Sequence, residues 1–385
     1  MKSNYSHPGR IVRSTRCHPV VLALMLLLLS LLHQQAVIAD EEVSEGIDVA
    51  VITNAEGAHL GAYFSGLAHA PEARTVVLAD PDGKVEAEAR KALGDKLVGV
   101  YTDRAAMLAE VKPAMVVISL EARLAPEAID AALEAGCHVL AEKPACVRAE
   151  DFAPLVEKAE SKNLHLMLAL SNRSNPEVLK ARELIAEGAI GKVYGLEARF
   201  VKDQRRLTSP SFRETWFVDK ARAGGGNLSW LGIHWLDLAM FVSGSPITHV
   251  TGFAGNVGGQ PIDTEDSAAV SMRFENGTFG TMTSAYFLDS GSETFLRIWG
   301  EKGWLQIGHE TPGQVRWYST LGEKPEEQVY TGPAHSSYGA YVRTCVRASA
   351  GLETPPITGR ECLRVLKVIY GLYEASETGR TVAVE

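Results

Sequence analysis

The chain of 385 residues has few features that would fix a specialised fold at sight. It carries five cysteines, and their spacing matches no metal-binding pair pattern. It has no internal repeat and no low-complexity linker, so neither a solenoid nor a string of tethered modules is indicated. No basic cluster stands beside aromatics, and the formal net charge is −9. Such a surface repels nucleic acid backbone and anionic lipid. What remains is an ordinary globular composition, 46% apolar and 22% charged. The length exceeds one typical compact domain.

The N-terminus stands apart from the fold. Lys2, Arg10, Arg13 and Arg16 precede a dense apolar run over residues 20–32, which is followed by Val37-Ile38-Ala39. Basic region, short apolar region and small-residue site are the order of a secretory signal. The expectation is a signal peptide over residues 1–39, cleavage after Ala39 and an exported, periplasmic or extracellular protein with no mature membrane span. The alternative is a retained N-terminal membrane anchor, although the run is short against the roughly 20 apolar residues a bilayer needs. Cleavage removes four basic and no acidic residues, leaving 34 basic against 47 acidic, a charge of −13. Of the cysteines left, Cys137, Cys146, Cys345 and Cys362, an exported location permits a Cys345–Cys362 disulfide. Four separate small hydrophobes is the plainer expectation.

From residue 47 strands and helices alternate. Strands are expected over 47–52, 75–79, 115–119, 138–140 and 165–170, with helices over 56–70, 84–93, 125–135 and 151–162. This alternation predicts a mostly parallel sheet covered on both faces. After a helix over 176–187 the pattern changes to alternating apolar segments at 193–201, 267–274, 279–285 and 295–299. Asn276-Gly277 marks a hairpin turn and Lys302-Gly303 a second turn. A helix over 360–377 and a strand over 381–384 close the chain.

Several stretches in this order resemble one family. They are Glu142-Lys143-Pro144 after the fourth expected strand, residues 187–193, Gly224-Gly225-Gly226 before Gly232-Ile233-His234-Trp235-Leu236-Asp237, residues 274–277 and residues 376–380. Together they are similar to the glucose-fructose oxidoreductase, inositol dehydrogenase and rhizopine-catabolism family, over residues 47–385. The resemblance implies an α/β fold: an N-terminal Rossmann-type dinucleotide-binding domain over 47–171, then a C-terminal α+β domain over 172–385 with a large, mainly antiparallel sheet. The C-terminal part would carry the substrate and oligomer contacts, and its last helix could pack back on the first domain.

The same resemblance implies NAD, with NADP less suited. A dinucleotide needs close backbone approach after the first strand, which glycines permit. Here Thr53, Ala55 and Ala58 stand where the family usually has glycine, with Asn54, Glu56 and Gly57 between them. Asp80, at the end of the second strand, suits the adenosine ribose hydroxyls, or else it caps the next helix. The family's polar loop after the third strand is replaced by Leu120-Glu121-Ala122-Arg123. Lys143 is expected to hydrogen-bond a substrate hydroxyl, with Glu142 orienting it, and both lie near the cofactor. His234 is the acid-base candidate, since its ordinary pKa is near neutrality. Asn172, Arg173, Trp230 and His234 are the expected substrate contacts, and the segment 204–227 could reach over the cleft. Trp230 occupies the place where the family often has an aspartate. No metal is implied.

The leading expectation is therefore an NAD-dependent oxidoreductase acting on a hydroxyl of a sugar, sugar acid or cyclitol, and able to self-associate. One alternative is a non-redox carbohydrate-binding or scaffold protein on the same fold. Another is a hydrolase or lyase that uses bound NAD transiently.

Overall fold

The structure is a computed structural model that describes residues 46–308, 313–322, 325–333 and 337–384. The expected signal segment lies outside the described residues. Six strands, β1 (Ile47–Thr53), β2 (Ala73–Ala79), β3 (Leu97–Tyr101), β4 (Met115–Ser119), β5 (His138–Ala141) and β6 (Leu166–Leu168), form one sheet in the order β3-β2-β1-β4-β5-β6. All its pairings are parallel. Val49, Ala50, Val51, Val116 and Val117 are fully enclosed, because helices cover both faces. These are α1 (Leu60–His69), α2 (Glu86–Leu93), α3 (Arg104–Val111), α4 (Ala125–Glu134) and α5 (Ala149–Ser161). The strand order reverses between β1 and β4, which opens a crevice at their carboxyl ends, the usual ligand position in such sheets.

The second half begins with α6 (Pro176–Ala186). Nine strands follow: β7 (Val193–Asp203), β8 (Ile247–Gly255), β9 (Ser267–Phe274), β10 (Phe279–Leu288), β11 (Ser292–Gly300), β12 (Gly303–Gly308), β13 (Gln314–Ser319), β14 (Glu327–Thr331) and β15 (Val382–Ala383). They pair in the order β14-β13-β12-β11-β7-β10-β9-β8-β15. Only β7 and β10 run parallel, so the sheet is mainly antiparallel. The hairpin at Asn276-Gly277 forms as expected. Gly277 takes φ 86°, and the Phe274 N–H donates to the Thr278 carbonyl at 2.9 Å. Three longer helices complete the half: α7 (Ile233–Ser243), α8 (Ser337–Ser349) and α9 (Gly359–Thr378), the last opened by a Thr358–Glu361 capping box. Among the described residues no helix is long and apolar enough to cross a membrane.

Some elements differ from the sequence expectation. β3 and α3 were not expected: the strand, Leu97-Val98-Gly99-Val100-Tyr101, is a short edge interrupted by Gly99, with Val98 in solvent. The helix expected over 56–70 starts only at Leu60, because residues 54–59 are tied into a turn by Asn54. β8, β13 and β14 carry half-exposed alternation too weak to stand out from loop, whereas β12 and α8 were passed over although Leu305, Ile307, Tyr341, Val342, Cys345 and Val346 are buried.

The two halves share one core. Tyr341 of α8 donates its hydroxyl to the Leu168 carbonyl at 2.6 Å, and Arg360 of α9 pairs with Glu160 of α5. The strongest tie is Arg173, in the turn after β6. Its guanidinium donates to both oxygens of Asp237 on α7 at 2.6 and 2.9 Å, to Glu361 on α9 at 2.8 Å, and to the Pro356 carbonyl at 3.1 Å. Arg173 and Asp237 are both buried. The substrate contact expected of Arg173 is therefore corrected: its fork is used up in joining the two halves.

Removing one partner of a buried pair leaves the other charge unmatched. Arg173→Ala should lower unfolding stability by about 3–5 kcal/mol, read as a shift of the urea midpoint. A change under about 1 kcal/mol, the range of exposed pairs, would deny the clasp this weight.

Candidate active site

The crevice is built first from the turn after β1. Thr53 donates its hydroxyl to the Ser119 carbonyl at 2.8 Å, and Ser119 donates to the Ala58 carbonyl at 2.7 Å, locking the ends of β1 and β4 to the turn. Asn54 accepts the Glu56 N–H at 2.9 Å. A Cβ on Gly57 would stand 2.1 Å from the Thr53 Oγ1. Gly57 is thus required for the turn to pack against Thr53 and the Ser119 carbonyl.

Beside this turn lies a cavity of about 290 Å³, lined by Ile52, Thr53, Asn54, Ala79, Pro81 and Arg104 among others. It sits at the carboxyl ends of β1 and β2, where the adenosine half of a dinucleotide fits. Thr53 and Asn54 belong to it as expected, whereas Ala55 is an exposed tip. Asp80 does not reach it. The Asp80 carboxylate is buried, and its Oδ2 accepts the N–H groups of Val85 and Glu86 at 2.7 and 3.1 Å. Burial, with Asp82 nearby, holds its pKa above the ordinary carboxyl value. Of the two roles open to Asp80, its Oδ2 takes the capping one and opens α2, while its Oδ1 has no hydrogen-bond partner among the described residues.

The segment 204–227 roofs the turn. Trp216 is buried and donates its indole N–H to the Glu56 carbonyl at 3.2 Å. Arg222 pairs with both Glu56 and Glu121. Glu56 thus meets a guanidinium, and its charge is matched before any phosphate arrives. The rings of Trp216, Phe217 and Trp230 pack at 4.1 to 5.4 Å between centroids, against Ala58 and Ala122. Arg123 is exposed and paired with Glu121, a surface arginine.

Glu142 and Lys143 follow β5 directly, with a cis Lys143–Pro144 peptide. Lys143 is 1% exposed. Its Nζ donates to the Trp230 carbonyl at 2.7 Å, lies 3.1 Å from the centroid of the Trp230 ring, and stands 3.8 Å from Glu142 Oε1. Burial pulls the ammonium pKa down to about 7; Glu142 opposes the shift and Arg206 adds to it. Burial raises the Glu142 carboxyl, yet Lys143, His59 and Tyr63 outweigh it and leave it below the ordinary value. Glu142 Oε2 accepts the Tyr63 hydroxyl at 2.7 Å and faces His59 Nδ1 at 2.8 Å.

Trp230 lies in a widened π-helical turn, Leu228–Gly232, that leads into α7. Such turns re-aim side chains at functional sites. One turn later His234 has an enclosed Nδ1 with no hydrogen-bond partner among the described residues. Burial, then the charges of Lys143 and His59, push its pKa well below the ordinary value. The crevice therefore gathers Glu142, Lys143, Trp230 and His234 as expected. Asp237 pairs with Arg173 instead of orienting His234. Asn172 is half-buried in the Arg173 turn, where its carbonyl accepts the Asn175 N–H, and nothing places it against Lys143. His59, Tyr63 and Tyr338 were missed. His59 and Tyr338, 3.2 Å apart at Nδ1 and hydroxyl, are separated by 279 residues, so no sequence spacing announces them. Cys137, Cys146, Cys345 and Cys362 are free and buried, so no Cys345–Cys362 disulfide is formed.

The family model described as "Oxidoreductase family, NAD-binding Rossmann fold" matches residues 47–170, and that described as "GFO/IDH/MocA C-terminal domain" matches residues 178–306. Levoglucosan dehydrogenase of Pseudarthrobacter phenanthrenivorans is 28% identical over 287 residues, covering 67% of this chain and 72% of its own. D-glucoside 3-dehydrogenase of Escherichia coli is 29% identical over 224 residues, 54% of this chain and 62% of its own. Among solved structures, an oxidoreductase domain protein from Kribbella flavida superposes with TM-score 0.80 at 22% identity, over 88% of this chain and 99% of its own. Levoglucosan dehydrogenase in complex with NADH and levoglucosan gives 0.77 at 22% identity, with the same coverage. These two structures share the fold.

Since Asp80 caps a helix, Asp80→Ala should lower stability by about 0.5–2 kcal/mol. NAD affinity should change less than about threefold, under roughly 1 kcal/mol. Thermal melts and calorimetric NAD titration check both, and a tenfold loss of NAD affinity would return Asp80 to the ribose.

Proposed function

The chain belongs to the GFO/IDH/MocA oxidoreductase family, and from that premise we propose that it transfers hydride between NAD and a hydroxyl-bearing carbon of a sugar, sugar acid or cyclitol. The observation that carries this reading is an enclosed amine, Lys143, at the strand end beside the switch point of an NAD-binding-type sheet, with an unpartnered imidazole nitrogen of His234 in the same crevice. The carbohydrate class follows the relatives named above. NAD, when bound, accepts the hydride from the carbon as the alcohol becomes a carbonyl.

The chain's own residues supply the rest. The adenosine half is held by the cavity at Thr53, Asn54 and Pro81. Neutral Lys143 takes the hydroxyl proton at Nζ, and the ammonium then stands beside the new carbonyl oxygen. His234 Nδ1 accepts a hydrogen bond from a substrate hydroxyl and fixes its orientation. Trp230 supplies an apolar face for a sugar ring, and because it covers Lys143 it must turn away to admit that ring. The closed packing of Trp216, Phe217 and Trp230 gives the non-redox binding protein its one support. Export rests on the N-terminal pattern alone. Self-association is supported by Phe253, Phe279 and Trp299, which register onto one outward face of the large sheet and are exposed.

Calorimetric titration of NAD and NADH tests the premise, followed by NADH formation with levoglucosan, D-glucosides, D-xylose and myo-inositol. A rising limb of kcat/KM centred near the Lys143 value of about 7 is expected, because the base works only when unprotonated. Lys143→Met should remove that limb and lower kcat by at least about a hundredfold. No nucleotide binding at large excess favours the non-redox reading.

A further inference from the structure

An amine that takes a proton at each turnover must return it to water, and Lys143 has no direct contact with water. Its Nζ is enclosed by the Trp230 carbonyl and ring. Polar atoms lead outward on one side, through Glu142. That carboxylate is itself 1% exposed, yet its Oε2 meets His59 Nδ1 at 2.8 Å, and the His59 side chain is 37% exposed. Lys143, Glu142 and His59 thus form a chain with a buried end and a wet end.

We propose that Glu142 and His59 carry protons between Lys143 and solvent, with His59 as the outer relay. This rests on the reading of Lys143 as the base. The Lys143 ammonium loses one N–H as the 3.8 Å gap to Glu142 Oε1 closes and an O–H forms there. Rotation of the carboxyl presents that proton to unprotonated His59 Nδ1. The O–H breaks, Nδ1–H forms, and Glu142 is a carboxylate again. The imidazolium then releases its Nε2 proton to water, and exchange of the neutral ring with water moves the remaining proton from Nδ1 to Nε2, which restores the acceptor for the next turnover. One proton leaves the amine and one enters solvent, with no change of oxidation state.

The surroundings of His59 suit this work better than a packing role. Its backbone takes φ 54°, a conformation that non-glycine side chains rarely adopt. That turn sets the ring parallel to Trp230 at 5.5 Å, with Nδ1 on the carboxylate. Tyr63 donates to the same Glu142 oxygen at 2.7 Å and steadies it, and the Tyr338 hydroxyl lies 3.2 Å from Nδ1. The charged and titratable groups facing the chain are therefore Tyr63 and Tyr338, with His234 and Arg206 toward Lys143. His59 touches no reacting atom in this scheme and acts through Lys143.

The test reads proton exchange directly and needs neither NAD nor substrate. In the full chain labelled with 15N-lysine, exchange of the Lys143 Nζ protons with water is measured by NMR, the signal being assigned by its loss in Lys143→Met. His59→Gly suits the φ of this position and should fold. It should slow the exchange at least about tenfold, with free imidazole restoring the rate. Glu142→Gln keeps the shape without a proton-carrying oxygen and should slow it too. Wild-type exchange in either folded variant, or slowing by His59→Gly that imidazole leaves unchanged, overturns the relay. Failure of NAD to bind would sink the hydride-transfer reading while this result stood on its own.

Discussion

Everything chemical in this molecule depends on the burial of one amine. Lys143 ends a core strand and enters a space where a carbonyl, an indole ring and a carboxylate at 3.8 Å replace water. Those partners do not repay the lost hydration, so the amine gives up its proton near pH 7 rather than near its ordinary value of about 10.4. The sign for stability follows. Below about 7 the folded state must bury a charge that the unfolded chain leaves in water. That cost is relieved as pH rises from there toward the unfolded value. A scaffold that accepts such a penalty has to be firm, and the Arg173–Asp237–Glu361 clasp makes it so by fixing α7 and α9 to the end of the parallel sheet.

The dinucleotide crevice shows how a site can be rebuilt around altered residues. Methyl-bearing side chains stand at Thr53, Ala55 and Ala58, and Gly57 lets the turn between them pack against Thr53 and the Ser119 carbonyl. Glu56 would repel phosphate, but Arg222 pairs with it from the second half of the chain. Trp230 replaces an aspartate in the family pattern, and the π-helical turn brings its carbonyl as well as its ring to Lys143. On the other half of the molecule Glu142 meets His59 at 2.8 Å, beside the same amine.

What was legible in the sequence was local. β1 and β4 are short apolar runs bounded by turn residues, and Glu142-Lys143 directly follows such a run, so both the sheet and its reactive end could be placed. What depended on distant partners was not legible. Asp80 looks the same in sequence whether or not it caps α2, and only the Val85 and Glu86 N–H groups reveal the capping role. Arg173 reads as a cleft residue until Asp237 and Glu361, 64 and 188 positions away, are seen to fill its fork. The edge strand β3 was overlooked because its five residues are short and broken by Gly99, a residue that reads as a turn.

The measurement closest to the centre of this account is the ionisation of Lys143 itself. A carbon-detected NMR titration of 13C-lysine protein, with the signal assigned through Lys143→Met, reports it without substrate. A midpoint of about 7 is expected. A midpoint at the ordinary value of about 10.4 would mean that the amine is solvated and charged at neutral pH, and the base at the heart of the site would be lost.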